Sequence, residues 1–127
     1  TMYNENGVAQ TIIETGKKAK VEIEYHVKRS EEDVAFALGI MRMDGVLCYS
    51  TNTIIENVVF PVIQEDGKVT FEIEYLGLLP GSYCMDVAIL RKNQEIIHYK
   101  AQAYKFEMIS NIEDSGVARI AHKWKMD

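Results

Sequence analysis

The sequence predicts an all-β protein with an antiparallel β-sandwich, and three observations support that fold class. Apolar and polar residues alternate with a period of two in residues 21–27 and in residues 69–75, which is typical of half-buried strands. Turn signals separate the apolar segments, most clearly at Asp44-Gly45 and at Leu79-Pro80-Gly81. No stretch longer than a turn or two has helical periodicity, so roughly eight or nine short strands account for the chain.

Composition and charge narrow the functional classes. The 127 residues suit a single domain, and 47% hydrophobic with 26% charged residues is ordinary for a globular protein. A formal net charge of −5 argues against nucleic acid or an anionic membrane surface as the main partner. No apolar run is long enough to span a bilayer, and no signal peptide opens the chain. Cys48 and Cys84 lack metal-site spacing, which favours reduced thiols on strands over a disulfide.

The amino-terminal part contains one clear strand among weaker signals. Residues 1–7 are expected to be a linker or the edge of the domain, and residues 8–15 a short first strand before a turn at 16–18. The clear strand covers residues 21–27, where every second residue is apolar and one face is therefore buried. A charged loop is expected at residues 29–33.

Residues 34–43 form a predicted strand that is apolar on both faces. Phe36, Leu38 and Ile40 carry the bulk and are expected to face the core. A two-residue hairpin turn at Asp44-Gly45 pairs this strand with the next one. In that register Tyr49, Thr51 and Thr53 lie on the core side. The opposite face, called here the small-residue face, then consists of Ala35, Ala37, Gly39, Met41, Cys48, Ser50 and Asn52.

The next segment predicts an edge strand, a hairpin and a corner. Pro61 marks residues 58–63 as an edge strand or a bulge, because proline cannot donate to a ladder. Asp66-Gly67 is a second hairpin signal that leads into the strand at 68–75. Tyr83 follows Leu79-Pro80-Gly81 at the spacing of a tyrosine corner, which favours a structural role for this side chain over a ligand contact.

The last two predicted strands decide which residues accompany Asp86. A three-residue turn at 93–95 places His98, Lys100, Gln102 and Tyr104 on the face of Asp86, and a two-residue turn reverses this arrangement. Residues 111–115 are expected to form a polar loop. Residues 116–125 form the predicted final strand, with Trp124 near its end.

Binding is a better functional class than catalysis for this chain. Phosphate loops, nucleophile elbows, zinc-protease helices and dinucleotide fingerprints are all absent from the sequence. The three histidines are far apart and suggest no metal, and nothing in the chain implies a cofactor. Asp86 has no partner carboxylate at the spacing that glycoside hydrolysis needs.

The small-residue face, continued by Cys84 and Ala88, is the feature that needs an explanation. Soluble monomers rarely leave such a broad apolar surface open to water. Another protein segment could cover it, loops or ends of the same domain could cover it, or it could be a ligand groove. In a groove, Ser50, Asn52 and Asp86 would bind hydroxyl groups at the margin.

Four other side chains are candidates for ligand contact. Trp124 has an aromatic face suited to a sugar ring, or else it closes the end of the core. Arg42, Arg119 and Lys100 would hold an anionic substituent through charge-assisted bonds, although strand-borne basic residues are usually only solvated.

Four sequence segments resemble those of a known family in the same order. They are Ile40-Met-Arg-Met-Asp-Gly45, Thr51-Asn-Thr53, Leu76-Gly-Leu-Leu-Pro-Gly-Ser-Tyr83 and Gly116-Val-Ala-Arg-Ile-Ala-His-Lys-Trp124. Together they resemble the carboxy-terminal domain of Wzt-type proteins, the nucleotide-binding subunits of ABC transporters that export O-antigen and related polysaccharides. The similarity extends over residues 8–124.

The resemblance implies an immunoglobulin-like antiparallel β-sandwich that recognises the modified non-reducing end of an exported O-antigen-type polysaccharide. It implies a cytoplasmic location at the inner face of the bacterial membrane, where the ATPase domain and the membrane subunit of the transporter are partners. It also implies a homodimer in which the final strand is exchanged, and an exposed terminal strand after a polar hinge suits such an exchange. Because this chain lacks the phosphate loop, the resemblance implies a binding module that is not itself an enzyme.

The candidate carbohydrate-binding residues follow from the face argument, since the resemblance transfers none of them securely. The alternative function is a structural or dimerisation sandwich without its own glycan ligand. The candidate residues are Ser50, Asn52, Asp86, His98, Lys100, Gln102, Arg42, Arg119 and Trp124.

Overall fold

The computed structural model describes residues 1–27, 34–60 and 63–126. These residues form eight β-strands and no helix, so the described ranges hold no helix that could cross a membrane. The strands are β1 (Met2–Tyr3), β2 (Ile12–Glu14), β3 (Lys17–Tyr25), β4 (Val34–Arg42), β5 (Leu47–Asn52), β6 (Gly67–Leu76), β7 (Gly81–Arg91) and β8 (Ile96–Ile109).

The strands form two sheets. One sheet is three-stranded in the order β1-β3-β6, and the other is five-stranded in the order β2-β8-β7-β4-β5. Neighbouring strands are antiparallel, with the exception of β2, which runs parallel to the end of β8. This is the immunoglobulin-like β-sandwich that the sequence predicted, and the prediction of the fold class is confirmed.

The core lies between the two sheets and takes alternate residues from each strand. Val21 of β3 and Met85 of β7 are both 0% exposed. On β4, the predicted core residues Phe36, Leu38 and Ile40 are all buried, as the period-two pattern requires. Burial of these side chains is the main favourable contribution to folding.

The tyrosine corner predicted at Tyr83 is confirmed. The Tyr83 hydroxyl donates a hydrogen bond of 2.6 Å to the backbone carbonyl of Leu79, and its ring stacks on Phe106 with 5.5 Å between centroids. Burial raises the pKa of the Tyr83 hydroxyl, which keeps the proton that it donates. The corner fixes the point at which β7 begins.

The β4–β5 hairpin keeps most of its predicted register, but its turn is different. Gly39 lies opposite Ser50 and Ala37 opposite Asn52, as predicted. The loop has three residues instead of two, because the Arg42 N–H bonds to the Val46 carbonyl at 2.8 Å and Gly45 takes a φ of 96°.

A bulge at Cys48 compensates for the extra loop residue. Met41 pairs with Leu47 while Ile40 pairs with Tyr49, so Cys48 has no partner on β4 and packs against the core. The prediction that Cys48 joins the small-residue face is therefore wrong. Tyr49 lies on the predicted side of β5 but is 54% exposed, because β5 is the edge strand of its sheet.

The register predicted for β7 and β8 is wrong. Ala88 lies opposite Tyr99, Ile89 opposite His98 and Val87 opposite Lys100, so Tyr99 shares the face of Asp86. His98 and Lys100 lie on the opposite, inner side of the sheet. Further along β8, Tyr104 pairs with Met85 and packs against the core. The shift arises at bulges, which the turn length alone does not reveal.

The amino-terminal residues belong to the sandwich. The expectation of a linker at residues 1–7 is wrong for Met2 and Tyr3, which form β1 and pair with Val21 and Lys20 of β3. Met2 is only 4% exposed. The strand predicted at residues 8–15 is reduced to β2, and the turn predicted at 16–18 falls at Thr15 and Gly16, since Lys17 already begins β3.

Three further sequence predictions differ from the structure. Residues 58–60 do not form the predicted edge strand, while Pro61 and the charged loop predicted at 29–33 lie outside the described residues. Asp66-Gly67 is not a hairpin turn, because Gly67 opens β6 and pairs with Tyr25 of β3. In the described part of residues 116–125, the final strand amounts to one bridge between Ala118 and Leu78.

Candidate functional site

A groove lies on the outer face of the five-stranded sheet, where the sequence placed the small-residue face. Its cavity volume is about 380 Å³. The β5 edge and the loop after it form one side, and β8 forms the other. The lining residues are Ala37, Leu38, Gly39, Met41, Leu47, Ser50, Thr51, Asn52, Ile55, Asp86, Val87, Ala88 and Tyr99.

The groove exists because the central strands carry small side chains on this face. Ala37 and Gly39 of β4 and Ala88 of β7 form the floor, with longer side chains on the strands at either side. A methyl group added to Gly39 would meet the Ser50 Cβ at 3.8 Å, an ordinary van der Waals distance. Space at Gly39 is therefore available to a ligand without any movement of the backbone.

One end of the small-residue face is covered by the domain itself. Ala35, Ala88 and Leu90 form a second buried cluster, and Ile54 from the loop after β5 packs against it. At this end, a loop of the same domain therefore covers the apolar surface and keeps it from water. Toward Gly39 and Asp86, no described residue closes the groove, so this part is open to a ligand.

Asp86 is the central polar group of the groove. It is half-buried, and its Oδ1 accepts a hydrogen bond of 2.7 Å from the backbone N–H of Gln102. Its Oδ2 accepts a short hydrogen bond from the Tyr99 hydroxyl, which raises the pKa of Tyr99. A carboxylate can accept about four hydrogen bonds, so both oxygens keep capacity for a ligand hydroxyl.

A bulge in β8 brings Gln102 to Asp86. Met85 pairs with Tyr104 and Val87 with Lys100, so residues 101–103 all lie opposite Asp86. Gln102 has a φ of 50°, a conformation in which its N–H points at the carboxylate. Gln102 therefore supports the site through its backbone, whereas its side chain was the group predicted.

Asn52 and Ser50 provide donors on the opposite side of the groove. The Asn52 Oδ1 accepts a hydrogen bond of 2.9 Å from the backbone N–H of Ile55, which fixes the orientation of the amide. Its NH₂ group is left to donate. Ser50 lies opposite Gly39 and is exposed. The groove thus combines one fixed acceptor with two donor groups across an apolar floor.

The remaining predicted site residues lie away from the groove. His98 and Lys100 are on the other side of β8. Arg42 donates from Nε to Asp44 Oδ1 at 2.8 Å, a bond that raises the pKa of Arg42 and lowers that of Asp44. Arg119 is bound to Asp114 at 2.6 Å, which likewise raises its pKa. Neither guanidinium lines the groove.

Trp124 neither lines the groove nor closes the core. It is 93% exposed on the segment that follows the Ala118 bridge, and the His122 ring lies beside it at 6.2 Å between centroids. Among the described residues, no three His, Cys, Asp or Glu side chains are grouped so that they could hold a metal ion.

Sequence reasoning missed Tyr99. Its ring is 52% exposed and lines the groove, and its hydroxyl holds Asp86. The three-residue turn was expected correctly in length, but a bulge after Leu90 moves β8 by one residue. The only signal in the sequence was the tyrosine itself, between His98 and Lys100.

Fold and site together define an immunoglobulin-like β-sandwich with a small, polar-edged groove on one sheet. Comparison with known families gives the more specific assignment. The chain belongs to the Wzt C-terminal domain family, whose sequence model matches residues 1–120. The family predicted from the four sequence segments is confirmed.

Two individual comparisons agree with this assignment. The chain is 26% identical over 126 residues to the O-antigen export system ATP-binding protein RfbB of Myxococcus xanthus, which covers 99% of this chain but only 28% of that protein. The chain therefore spans somewhat more than a quarter of this relative. A crystal structure of the C-terminal domain of Wzt superposes with a TM-score of 0.87 at 12% identity, over 99% of this chain and 80% of that one. At that identity the likeness shows the fold alone.

Proposed function

We propose that this chain is a non-catalytic carbohydrate-binding module that recognises the modified non-reducing end of an O-antigen-type polysaccharide for export by an ABC transporter. One observation carries the proposal. In a Wzt C-terminal domain, a groove on the five-stranded sheet holds Asp86 between the Tyr99 hydroxyl and the Gln102 N–H.

The polar groups of the groove match the hydroxyl groups of a sugar. Asp86 accepts from ligand hydroxyls, while the Asn52 amide and the Ser50 hydroxyl donate to them or bridge through water. The exposed Tyr99 ring offers an aromatic surface to the C–H groups of a pyranose. A volume of about 380 Å³ lies at the low end of small-molecule sites, which suits the end of a chain better than a long stretch of it.

The cellular setting of the proposal follows from the relative's name. RfbB is an ATP-binding protein of an O-antigen export system, and this chain matches only 28% of its length. We place the module in the cytoplasm, at the inner face of the membrane, where an ATPase domain and a membrane subunit of the transporter are its partners. Recognition of the glycan end would mark a polymer as complete before export.

A homodimer is part of the same proposal and rests on the carboxy-terminal arm, defined here as residues 116–126. The arm touches its own domain near Gly77 and Leu79, where the Leu79 N–H bonds to the Val117 carbonyl at 3.0 Å. Beyond that point its apolar side chains face water, with Ile120 77%, Trp124 93% and Met126 98% exposed. A second copy that takes up this arm as a strand would bury all three.

The experiment that tests the proposed function is a calorimetric or NMR titration of this chain with the O-antigen-type polysaccharide of its source strain. The same polymer without its non-reducing end group is titrated beside it. We expect binding that depends on the end group. If neither polymer binds at millimolar repeat units, the chain is the structural or dimerisation sandwich of the alternative function.

Asp86→Ala provides the matched variant. It removes the fixed acceptor, and we expect affinity for the polysaccharide to fall by about tenfold or more while the domain stays folded. Lys100→Ala, on the other side of β8, serves as the control and is expected to leave affinity unchanged. An Asp86→Ala variant that binds as well as the parent chain removes this groove from consideration.

A further inference from the structure

Asp86 is the one charged side chain among the lining residues that the structure describes. Its carboxylate is half-buried and both of its oxygens are held by donors, so it stays in place when a ligand enters. A ligand that reaches the floor therefore meets a fixed negative charge.

The basic side chains that an anionic ligand would need are placed elsewhere. Arg42 and Arg119 are bound to Asp44 and Asp114, and Lys100 is on the other side of the sheet. Lys105 lies on the same face as Cys84, further along β8, and is not among the lining residues. Among the described lining residues no cation compensates a phosphate or carboxylate, which would lose water in the groove and lie beside a like charge.

The floor of the groove is apolar. Ala37, Gly39 and Ala88 leave the floor flat, and Met41 and Leu47 lie at its margin. C–H groups or a methyl group placed against this surface would leave water, which is favourable in proportion to the apolar area buried. The combination of an acceptor and an apolar floor fits a sugar with hydroxyls on one edge and an apolar group on another.

We propose that the groove selects an uncharged terminal sugar with an exocyclic methyl group, such as a 6-deoxyhexose, and rejects ends that carry phosphate or carboxylate. Asp86 accepts from the sugar hydroxyls, Tyr99 covers the ring, and the methyl group lies over Gly39, in the open part of the groove. This inference rests on the proposed function and specifies the chemical class of its ligand.

The test is a calorimetric titration of this chain with three synthetic oligosaccharides that differ only at the non-reducing end. The first ends in a 6-deoxyhexose, the second in the corresponding 6-hydroxy sugar, and the third in the 6-phosphate of that sugar. We expect the 6-deoxy end to bind tightest and the phosphate end to bind at least about tenfold more weakly. The source-strain polysaccharide is titrated in parallel.

The outcomes separate this inference from the proposed function. Equal or tighter binding of the phosphate end overturns the inference and leaves the module a glycan reader of another class. Preference for the 6-hydroxy end overturns the methyl assignment. Absence of binding by all three oligosaccharides, while the polysaccharide binds, also overturns the inference. Absence of binding by the polysaccharide as well overturns the proposed function with it.

Two variants test the physical cause of the selectivity. Asp86→Asn removes the negative charge at nearly unchanged shape. We therefore expect the ratio of the affinities for the 6-deoxy and phosphate oligosaccharides to fall severalfold. Gly39→Ala adds one methyl group to the floor without a clash. Of the three oligosaccharides, we expect the one with the 6-deoxy end to lose the most affinity. Lys105→Ala is the control. If this variant binds the phosphate end more weakly than the parent chain does, Lys105 contributes a cation to the groove and the inference is contradicted.

Discussion

At the residue scale, two side chains have contrasting roles although each is held by hydrogen bonds. Tyr83 is 2% exposed, and its hydroxyl bond to Leu79 lies inside the fold. Asp86 is held as firmly, but its oxygens face the groove and keep capacity for a ligand. Tyr83 therefore affects stability, whereas Asp86 affects binding.

Tyr83→Phe is expected to destabilise the domain by about 1–3 kcal/mol, because the buried Leu79 carbonyl loses its partner while the stack on Phe106 remains. Urea denaturation of both proteins measures this free energy of unfolding. Tyr49→Phe is the control, since Tyr49 is 54% exposed, and its effect should stay within about 0.5 kcal/mol. Equal losses in the two variants would show that the corner bond contributes nothing specific.

The sequence was informative about residues whose chemistry is local. Tyr83 could be predicted because a corner follows from the spacing of Pro80 and the tyrosine, without knowledge of distant partners. Ser50 and Asn52 were placed correctly because the bulge at Cys48 compensates for the longer turn and keeps their predicted partners on β4. Asp86 joins them because it lies opposite Gly39 in the β4–β7 pair. Tyr99 could not be predicted as a site residue, since its position depends on bulges in β8 that have no sequence signature.

At the element scale, hydrophobic alternation located the strands better than turn signals located their connections. Val69, Phe71 and Ile73 alternate with exposed neighbours as predicted, although Tyr75 is 40% exposed and leaves the predicted apolar face. Asp66-Gly67 makes no hairpin. Instead the Asp66 carboxylate accepts a hydrogen bond of 2.7 Å from the Val27 N–H and one of 3.2 Å from His26 Nδ1. Asp66 thus connects the end of β3 to the start of β6 through hydrogen bonds. The dipeptide Asp-Gly alone cannot distinguish this role from a hairpin turn.

Asp66→Asn is expected to lower the thermal midpoint at neutral pH, and the loss should disappear in acid. The bonds from Val27 and His26 lower the pKa of Asp66, so its contribution is fully present above the ordinary value of about 3.9. That contribution is lost as the pH falls through the lowered pKa of the folded state. The thermal midpoints of the parent chain and of Asp66→Asn are measured between about pH 6 and pH 2, and the difference between them should shrink as the pH falls.

The control for this pH series is Glu65→Gln, one residue earlier and exposed. It removes the same charge from the same region and leaves the Asp66 carboxylate, which accepts from Val27 and His26, unchanged. A midpoint difference for Asp66→Asn that stays constant down to the lowest pH, or that Glu65→Gln reproduces, would contradict the role given to Asp66.

At the scale of the whole molecule, the carboxy-terminal arm is the part least explained by one chain. Gly77 has no room for a side chain, because a Cβ there would lie 2.6 Å from the Arg119 carbonyl oxygen. The arm is therefore closely seated where it leaves the domain and exposed beyond that point. The final strand predicted from sequence has the right composition, but a strand needs a neighbour that the described chain does not provide.

Deletion of residues 116–127 is expected to convert a dimer into a monomer, since the exposed apolar side chains of the arm would no longer reach a second copy. Sedimentation velocity of the full chain and of the shortened chain measures the change. A chain that lacks only Asp127 keeps all three apolar side chains of the arm, so it is the control and should remain dimeric. A monomeric full chain, or a dimeric shortened chain, would contradict the proposed exchange.

The parallel pairing of β2 with β8 has a mechanical consequence. The Glu107 N–H bonds to the Thr11 carbonyl and the Thr15 N–H to the Ile109 carbonyl, both at 2.8 Å, on either side of β2. Tension that pulls the amino-terminal and carboxy-terminal ends apart loads these bonds in shear, so they must break together. The pair acts as a clamp, so we expect the domain to resist stretching along the line that joins its two ends.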